Sequence, residues 1–242
     1  MEDLANGAYR TGVARFSDFL DLYEQNLLST FQMSEHGVTL HLSGGYENAE
    51  RKMAAFIPQD ISYDWQFPYH TILLKPQAPK FAEDFSHRDV LGALMNLGIE
   101  RHVLGDILIR DRQACFFCCE SMAEYLVREL CSVRHTTVTA EILNAGGSIT
   151  SYLPRTESRK GTVASVRLDA VIALGLQLQR TVSSKLISSG LVYVNSRLIS
   201  SNGYHLKTGD LISVRGYGKL RYEGTEGISR KNREIITVSR FV

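Results

Sequence analysis

No apolar run in these 242 residues approaches the roughly 18 that a membrane helix needs. The opening stretch, MEDLANGAYR, has no basic patch followed by an apolar segment, so no secretory leader is expected and the expected location is the cytoplasm. Cysteine is scarce. Cys115, Cys118, Cys119 and Cys131 are the whole supply, and three of them fall within five residues, which suits free thiols in a reducing compartment better than a disulfide framework. No internal repeat or low-complexity tract stands out. Gly44-Gly45 and Gly146-Gly147 are too short for the glycine-rich strand-to-helix loop of a nucleotide-cofactor enzyme. The seven histidines are scattered with no metal-like spacing. Cys115-x-x-Cys118 leaves two zinc ligands unsupplied, and it sits on an expected strand, where residues three apart face opposite sides. His87-Arg88-Asp89 is explained by the start of a helix. No cofactor, no metal and no catalytic residue are therefore expected.

What remains is an ordinary globular composition, 44% hydrophobic and 22% charged. The formal net charge of +1 hides a strong asymmetry. Residues 1–154 hold 12 Lys/Arg against 20 Asp/Glu, whereas residues 155–242 hold 15 against 6. A basic C-terminal third on an acidic body is the layout expected when one domain touches a polyanion.

Periodicity divides the chain into three expected units. In residues 1–66, 13–31 have helical spacing through Phe16, Phe19, Leu20, Tyr23, Leu27 and Leu28. GVTLHL (37–42) alternates like a strand, SGGY is a turn, and ENAERKMAAFI reads as a helix broken at Pro58. Residues 67–153 read as βαββαβ: strand 69–75, helix 86–98 with Ser86 as N-cap and Gly98 as terminator, strands 102–110 and 113–119 around an Asp111–Arg112 turn, helix 120–131, and strand 136–143. That order is ferredoxin-like, an arrangement shared by RNA-binding and unrelated domains. Residues 144–163 read as a linker. Residues 164–242 open with two short helices, 167–174 and 179–188, followed by a strand, a turn at Asn195–Ser196, and another strand at 211–214. On the second helix Arg180 and Ser184 share a face.

The last unit resembles the S4 RNA-binding domain over about 50 residues. The matching elements, in order, are Arg167-Leu168-Asp169, Arg180, Lys185, Gly190-Leu191-Val192-Tyr193-Val194-Asn195, Gly209-Asp210 and Arg215-Gly216. Ser196 stands where the family usually has glycine. The resemblance implies a basic surface that grips structured RNA, with Arg180, Lys185, Arg197 and Lys207 on phosphates, and Arg167, Ser184, Asn195 and Arg215 completing the candidate set. Arg167 and Asp169 are alternatively an ion pair within the fold. In the tail, Tyr217 and Tyr222 either stack on bases or pack on the sheet.

Over its full length the chain resembles the YlmH-type proteins, through Gly44, Gly45, Tyr46, Ala49, Glu50, Arg51 and Lys52 and through Leu104-Gly105-Asp106-Ile107. The resemblance implies an α+β protein of three parts: an N-terminal α/β unit, a ferredoxin-like middle domain and a C-terminal S4 (αL) domain. It also implies work on the large ribosomal subunit, with rRNA and tRNA as partners, in rescue of stalled peptidyl-tRNA complexes. Glycines before a helix, with Arg51 and Lys52 nearby, suit a second RNA contact; a plain turn suits them equally. Two other function classes stay open. One is a cell-division-linked adaptor. The other is an RNA-modifying enzyme with an appended S4 domain, although Arg167-Leu168-Asp169 is followed by Ala170-Val171 rather than the Thr-Ser-Gly of a pseudouridine synthase. Replacing Arg180 and Lys185 together by Glu is expected to weaken RNA binding strongly and leave the fold intact.

Overall fold

The computed structural model describes residues 1–28, 37–143 and 148–242. Residues 29–31 of the expected first helix and 144–147 of the expected linker lie outside the described residues. The chain divides into two compact units, Met1–Leu153 and Pro154–Val242. Among the described residues no helix is long and apolar enough to cross a membrane.

The first unit opens with α1 (Glu2–Thr11), β1 (Arg15–Leu20), α2 (Leu22–Leu28), β2 (Val38–Ser43) and β3 (Lys52–Pro58). The strands form an antiparallel sheet in the order β1-β3-β2, and Ala5 and Ala8 of α1 pack on its Ala54 and Phe56. Parts of two expected helices are strands here: β1 takes the first half of 13–31, whose second half is the helix α2, and β3 takes the end of ENAERKMAAFI. Phe16 and Phe19 mimic a helical interval because the β1–β3 register shifts between them, so a bulge replaces the period of two. β3 is the central strand and is buried from Met53 to Pro58. Ala54 and Phe56 face α1, while Ala55 and Ile57 face Trp65 and Phe67. A short apolar run buried on both faces carries no alternation, so its period cannot separate strand from helix.

Next come β4 (Tyr69–Pro76), α3 (His87–Asn96), β5 (Leu104–Arg110), β6 (Gln113–Cys119), α4 (Glu120–Glu129), β7 (Ser132–Val133) and β8 (Thr136–Ile142). They build an antiparallel sheet in the order β5-β6-β4-β8-β7, which is the expected ferredoxin-like pattern with a two-residue strand added at one edge. Ser86 caps α3 through a full capping box: the Asp89 amide donates to Ser86 Oγ at 3.2 Å and the Ser86 amide to Asp89 Oδ2 at 2.9 Å. Asp111 and Arg112, with φ of 47° and 64°, make the tight β5–β6 turn. One sheet face is covered by α3 and α4 through Val90, Leu94, Ala123 and Leu126. The other carries Leu73, Leu108, Cys115 and Phe117 against Phe19 and Met53 of the first sheet, with Tyr152 and Leu153 added. Both faces of the middle sheet are thus occupied by protein.

The second unit contains β9 (Thr156–Val163), α5 (Leu168–Leu176), α6 (Arg180–Ser188), β10 (Val192–Val194), β11 (Arg197–Leu198), β12 (Leu211–Val214), β13 (Gly218–Ile228) and β14 (Glu234–Phe241). Its sheet order is β11-β10-β12-β13-β14-β9, and Leu168, Val171, Ile172, Ile187, Leu220, Ile236 and Val238 form the core. The expected linker is partly wrong: β9 pairs with β14 along all eight residues. It is an edge strand, and TESRKGTV exposes most of its side chains. Edge strands are commonly charged in this way, which gives them the composition of a linker. Gly161 belongs to packing, because a Cβ there would lie 2.5 Å from Leu174. The tail is a long β13–β14 hairpin, with Tyr222 only 4% exposed in the core.

Candidate nucleic-acid interface

The first turn of α5 sets the geometry. Asp169 sits there with 5% of its side chain exposed. Its Oδ1 accepts from Arg167 Nε at 3.2 Å, and its Oδ2 from Arg180 Nε at 2.9 Å. Burial pushes the Asp169 carboxyl up, but the Arg180 hydrogen bond, the charges of Arg180 and Arg167, and the Ala170 amide outweigh it and hold the group below its usual value. The Asp169 carboxylate in turn raises the Arg180 guanidinium. Both arginine side chains remain open, 40% and 53% exposed. The ion pair and the solvent-facing arginine are therefore one arrangement. A buried carboxylate takes one N–H from each guanidinium and fixes the rest of the fork at the surface. The segment after β11 runs beside this point: the Leu168 amide donates to Tyr204 O at 2.9 Å, and Arg167 bridges to His205.

Lys185 is exposed on α6, while Ser184 is half-buried one turn after Arg180. Asn195 and Ser196 form the β10–β11 turn with φ of 47° and 64°. A non-glycine residue holds that left-handed geometry because Asn195 is braced at both ends. Its Nδ2 donates to Asp210 Oδ1 at 2.8 Å, and its Oδ1 accepts from the Leu211 amide at 2.9 Å. Asp210 also accepts from the Lys207 amide at 2.8 Å. As a candidate RNA contact Asn195 is corrected: its amide is spent on joining two turns. Those turns present Arg197 and Lys207 to solvent. Arg215 is exposed too, with its guanidinium 4.8 Å from the centre of the Tyr193 ring. Among the described residues no ion pair engages Lys185, Arg197 or Lys207. Tyr222 packs in the core, whereas Tyr217 is 42% exposed.

The Gly44–Lys52 segment does something different. Tyr46 OH donates to Asp106 Oδ2 at 2.7 Å, and the amides of Glu50 and Arg51 donate to the same carboxylate at 2.7 and 3.1 Å. The Arg51 guanidinium turns inward, donating to Leu104 O, Phe19 O and Arg101 O at 2.9, 2.6 and 3.3 Å. Burial lowers the Arg51 guanidinium, and it lowers Arg101 to about 10, so Arg101 stays charged at neutral pH. Gly44 is required because a Cβ would fall 2.3 Å from Arg51 O; Gly45, at φ +89°, lies against Phe117. Arg51 is thus corrected from RNA contact to an internal clamp, and Lys52 opens β3, half-buried opposite Leu20. The two motif stretches, 44–52 and 104–107, meet at one aspartate and join the two sheets of the first unit.

Cys115 faces the Phe19–Met53 side of the middle sheet and Cys118 the α3–α4 side, so the pair cannot share a metal. Burial pushes the thiols of Cys115 and Cys118 up to about 12 and that of Cys119 to about 11. Sequence reasoning missed His205, the double use of Asp169 and the bracing role of Asp210. Gly209-Asp210 signals only a turn in the sequence, and the arginine partners of Asp169 lie 2 residues before it and 11 after.

Comparison with known proteins agrees with this division. Residues 66–145 match a family described as "Putative RNA-binding domain in YlmH", and residues 166–212 match the S4 domain. The chain is 32% identical over 227 residues to the "Ribosome-associated protein quality control protein P2" of Bacillus subtilis (strain 168), covering 93% of this chain and 87% of that one. Among solved structures it is similar to the "Cell division protein ylmH from Streptococcus pneumoniae", with 16% identity, a TM-score of 0.49, and coverage of 58% of this chain and 85% of that one.

Proposed function

The chain belongs to the YlmH-type family, and from that premise we propose that it is a non-enzymatic, cytoplasmic RNA-binding protein that grips rRNA or tRNA through its second unit. The place of work is the large ribosomal subunit, where it takes part in quality control of stalled peptidyl-tRNA complexes. The Bacillus subtilis relative's name supports the ribosomal setting. The observation that carries the reading is Asp169 under Arg167 and Arg180: one buried carboxylate holds two half-open guanidiniums on a unit with 15 Lys/Arg against 6 Asp/Glu. The same observation argues against the modifying-enzyme class. An aspartate 5% exposed and held by two arginines is not placed to attack a base. The Ser184 hydroxyl and the Arg197, Lys207 and Arg215 side chains extend the same surface.

Crosslinking in cells tests the reading, with sequencing of the bound RNA and mass spectrometry of its nucleotides. Enrichment of large-subunit rRNA or tRNA, with no modification that depends on this protein, is expected. Enrichment of neither RNA overturns the ribosomal reading, and a modified nucleotide that disappears with the protein overturns the non-enzymatic one.

A further inference from the structure

The S4 match stops at residue 212, but the basic character of the unit continues beyond it. β13 and β14 form a hairpin of 11 and 8 residues whose tip, Ser229–Arg233, is internally fixed. The Ser229 amide donates to Arg233 O at 2.7 Å, the Asn232 amide to Ser229 O at 2.9 Å, and the Arg233 amide to Ser229 Oγ at 3.1 Å. Arg233 Nη2 ties the tip to β9 through Thr162 O at 2.9 Å. Arg230 and Lys231 stand exposed at the apex, and among the described residues no ion pair engages either. Two acids flank the tip on its strands. Glu226 is held by Lys160 and Thr237, and Glu234 accepts from Thr225 Oγ1 at 3.3 Å.

Strand register decides where this tip lies. Val163 is opposite Glu234, so β9 reaches the tip and then passes through only three residues to Arg167. The 207–210 turn meets β13 farther from the tip: the Gly209 amide donates to Tyr222 O at 2.8 Å, and a Cβ on Gly224 would lie 3.1 Å from Thr208 Oγ1. The far end of α5 is elsewhere, since Gly175 lies against Leu220 and Val238. The Arg167–Asp169–Arg180 cluster is therefore separated by only three residues from the end of β9 that reaches the hairpin tip.

We propose that the hairpin tip is a second phosphate-binding arm, in which Arg230, Lys231 and Arg233 contact the backbone of the same RNA that the arginines on Asp169 grip. This rests on the RNA-binding reading above and assigns it a site outside the recognised S4 segment. A fixed finger whose apex carries Arg230 and Lys231, neither engaged by an ion pair among the described residues, is complementary to a phosphodiester backbone. It would add affinity and orientation rather than sequence preference.

The test uses the full chain and deproteinised large-subunit rRNA, with binding constants measured across a salt series. Each phosphate contact contributes about 0.7–0.9 to the slope of log K against log salt. Arg230→Ala with Lys231→Ala should lower the steepness of that slope by about 1.4–1.8. Lys185→Ala with Arg197→Ala should lower it independently, and the two effects should add in the fourfold variant. An unchanged slope in the tip variant, beside a reduced one in the Lys185/Arg197 variant, overturns the arm and leaves the RNA reading standing. Absence of salt-dependent binding by the unaltered protein overturns both. If the tip variant binds rRNA normally but loses an acidic protein from its co-sedimenting complexes, the arm belongs to a protein interface and the proposal fails.

Discussion

Asp106 in the first unit and Asp169 in the second are both buried carboxylates beside arginine, and the arginines end up in opposite places. Around Asp106 the donors are a tyrosine hydroxyl and two backbone amides, and Arg51 points inward onto three carbonyls. Around Asp169 the donors are the arginines themselves, each giving one Nε–H and keeping its outer edge in solvent. The first arrangement spends its charge on joining two sheets. The second spends little of it, and the remainder faces outward. What separates an inward-turned arginine from a solvent-facing one is the partner atom that takes its hydrogen bonds, and a basic motif in the sequence does not specify that atom.

The largest effect should come from breaking the Asp106 joint. Asp106→Ala removes the acceptor of three hydrogen bonds, from the Tyr46 hydroxyl and the Glu50 and Arg51 amides, at about 1 kcal/mol each, so the first unit should lose about 3 kcal/mol. Denaturant unfolding followed through Trp65, which lies in the first unit, reads this directly. A loss below about 1 kcal/mol would mean the joint is incidental.

Next is the binding surface. Arg180→Glu is a poor probe, because it sets a second carboxylate against Asp169 and confounds fold with binding. Lys185→Glu with Arg197→Glu removes two cations that no ion pair engages. The salt slope of rRNA binding should fall in steepness by about 2 with unchanged thermal stability. Equal slopes would remove α6 and the β10–β11 turn from the interface.

A smaller effect concerns the pH dependence that Asp169 confers. The folded Asp169 carboxyl lies below its usual value, so its stabilising contribution is complete above an unfolded pKa of about 3.9 and disappears as pH falls through the folded value. Asp169→Asn should therefore flatten the acid limb of the second unit's stability below about pH 4. A limb as steep as in the unaltered protein would show that the arginines do not hold this carboxylate.

The smallest effect distinguishes interior from surface in the first unit. Cys115 and Cys118, raised to about 12, carry on the order of one thiolate in ten thousand at pH 8, whereas Cys131 is exposed. One thiol should react quickly with an alkylating reagent in the native protein, and four after denaturation. Fast reaction of two or more native thiols would contradict the packed middle sheet.

The middle unit was legible in the sequence because its signals are local. Ser86 and Asp89 cap a helix within four residues, and Asp111–Arg112 close a hairpin within two. In the N-terminal sheet only β2 was legible, because the other two strands violate the period that identifies strands: β1 carries a bulge and β3 is apolar on both sides. β9 was hidden by the opposite problem, since an exposed edge strand has few apolar residues to alternate. For the candidate interface, Lys185, Arg197, Lys207 and Arg215 were named by the resemblance to the S4 domain, and all four are exposed. The inward turn of Arg51 and the internal use of Asn195 did not, because each depends on atoms brought close only by the fold: Leu104 and Phe19 for one, Asp210 for the other.

The most direct test of the central claim is sedimentation of the tagged full-length protein through a sucrose gradient at low and high salt, beside the Lys185→Glu/Arg197→Glu variant. Comigration with the large ribosomal subunit at low salt, lost at high salt and lost in the variant, is the predicted result. An unaltered protein that stays at the top of the gradient at low salt, or a variant that comigrates as well as its parent, would contradict a ribosomal grip built on the second unit.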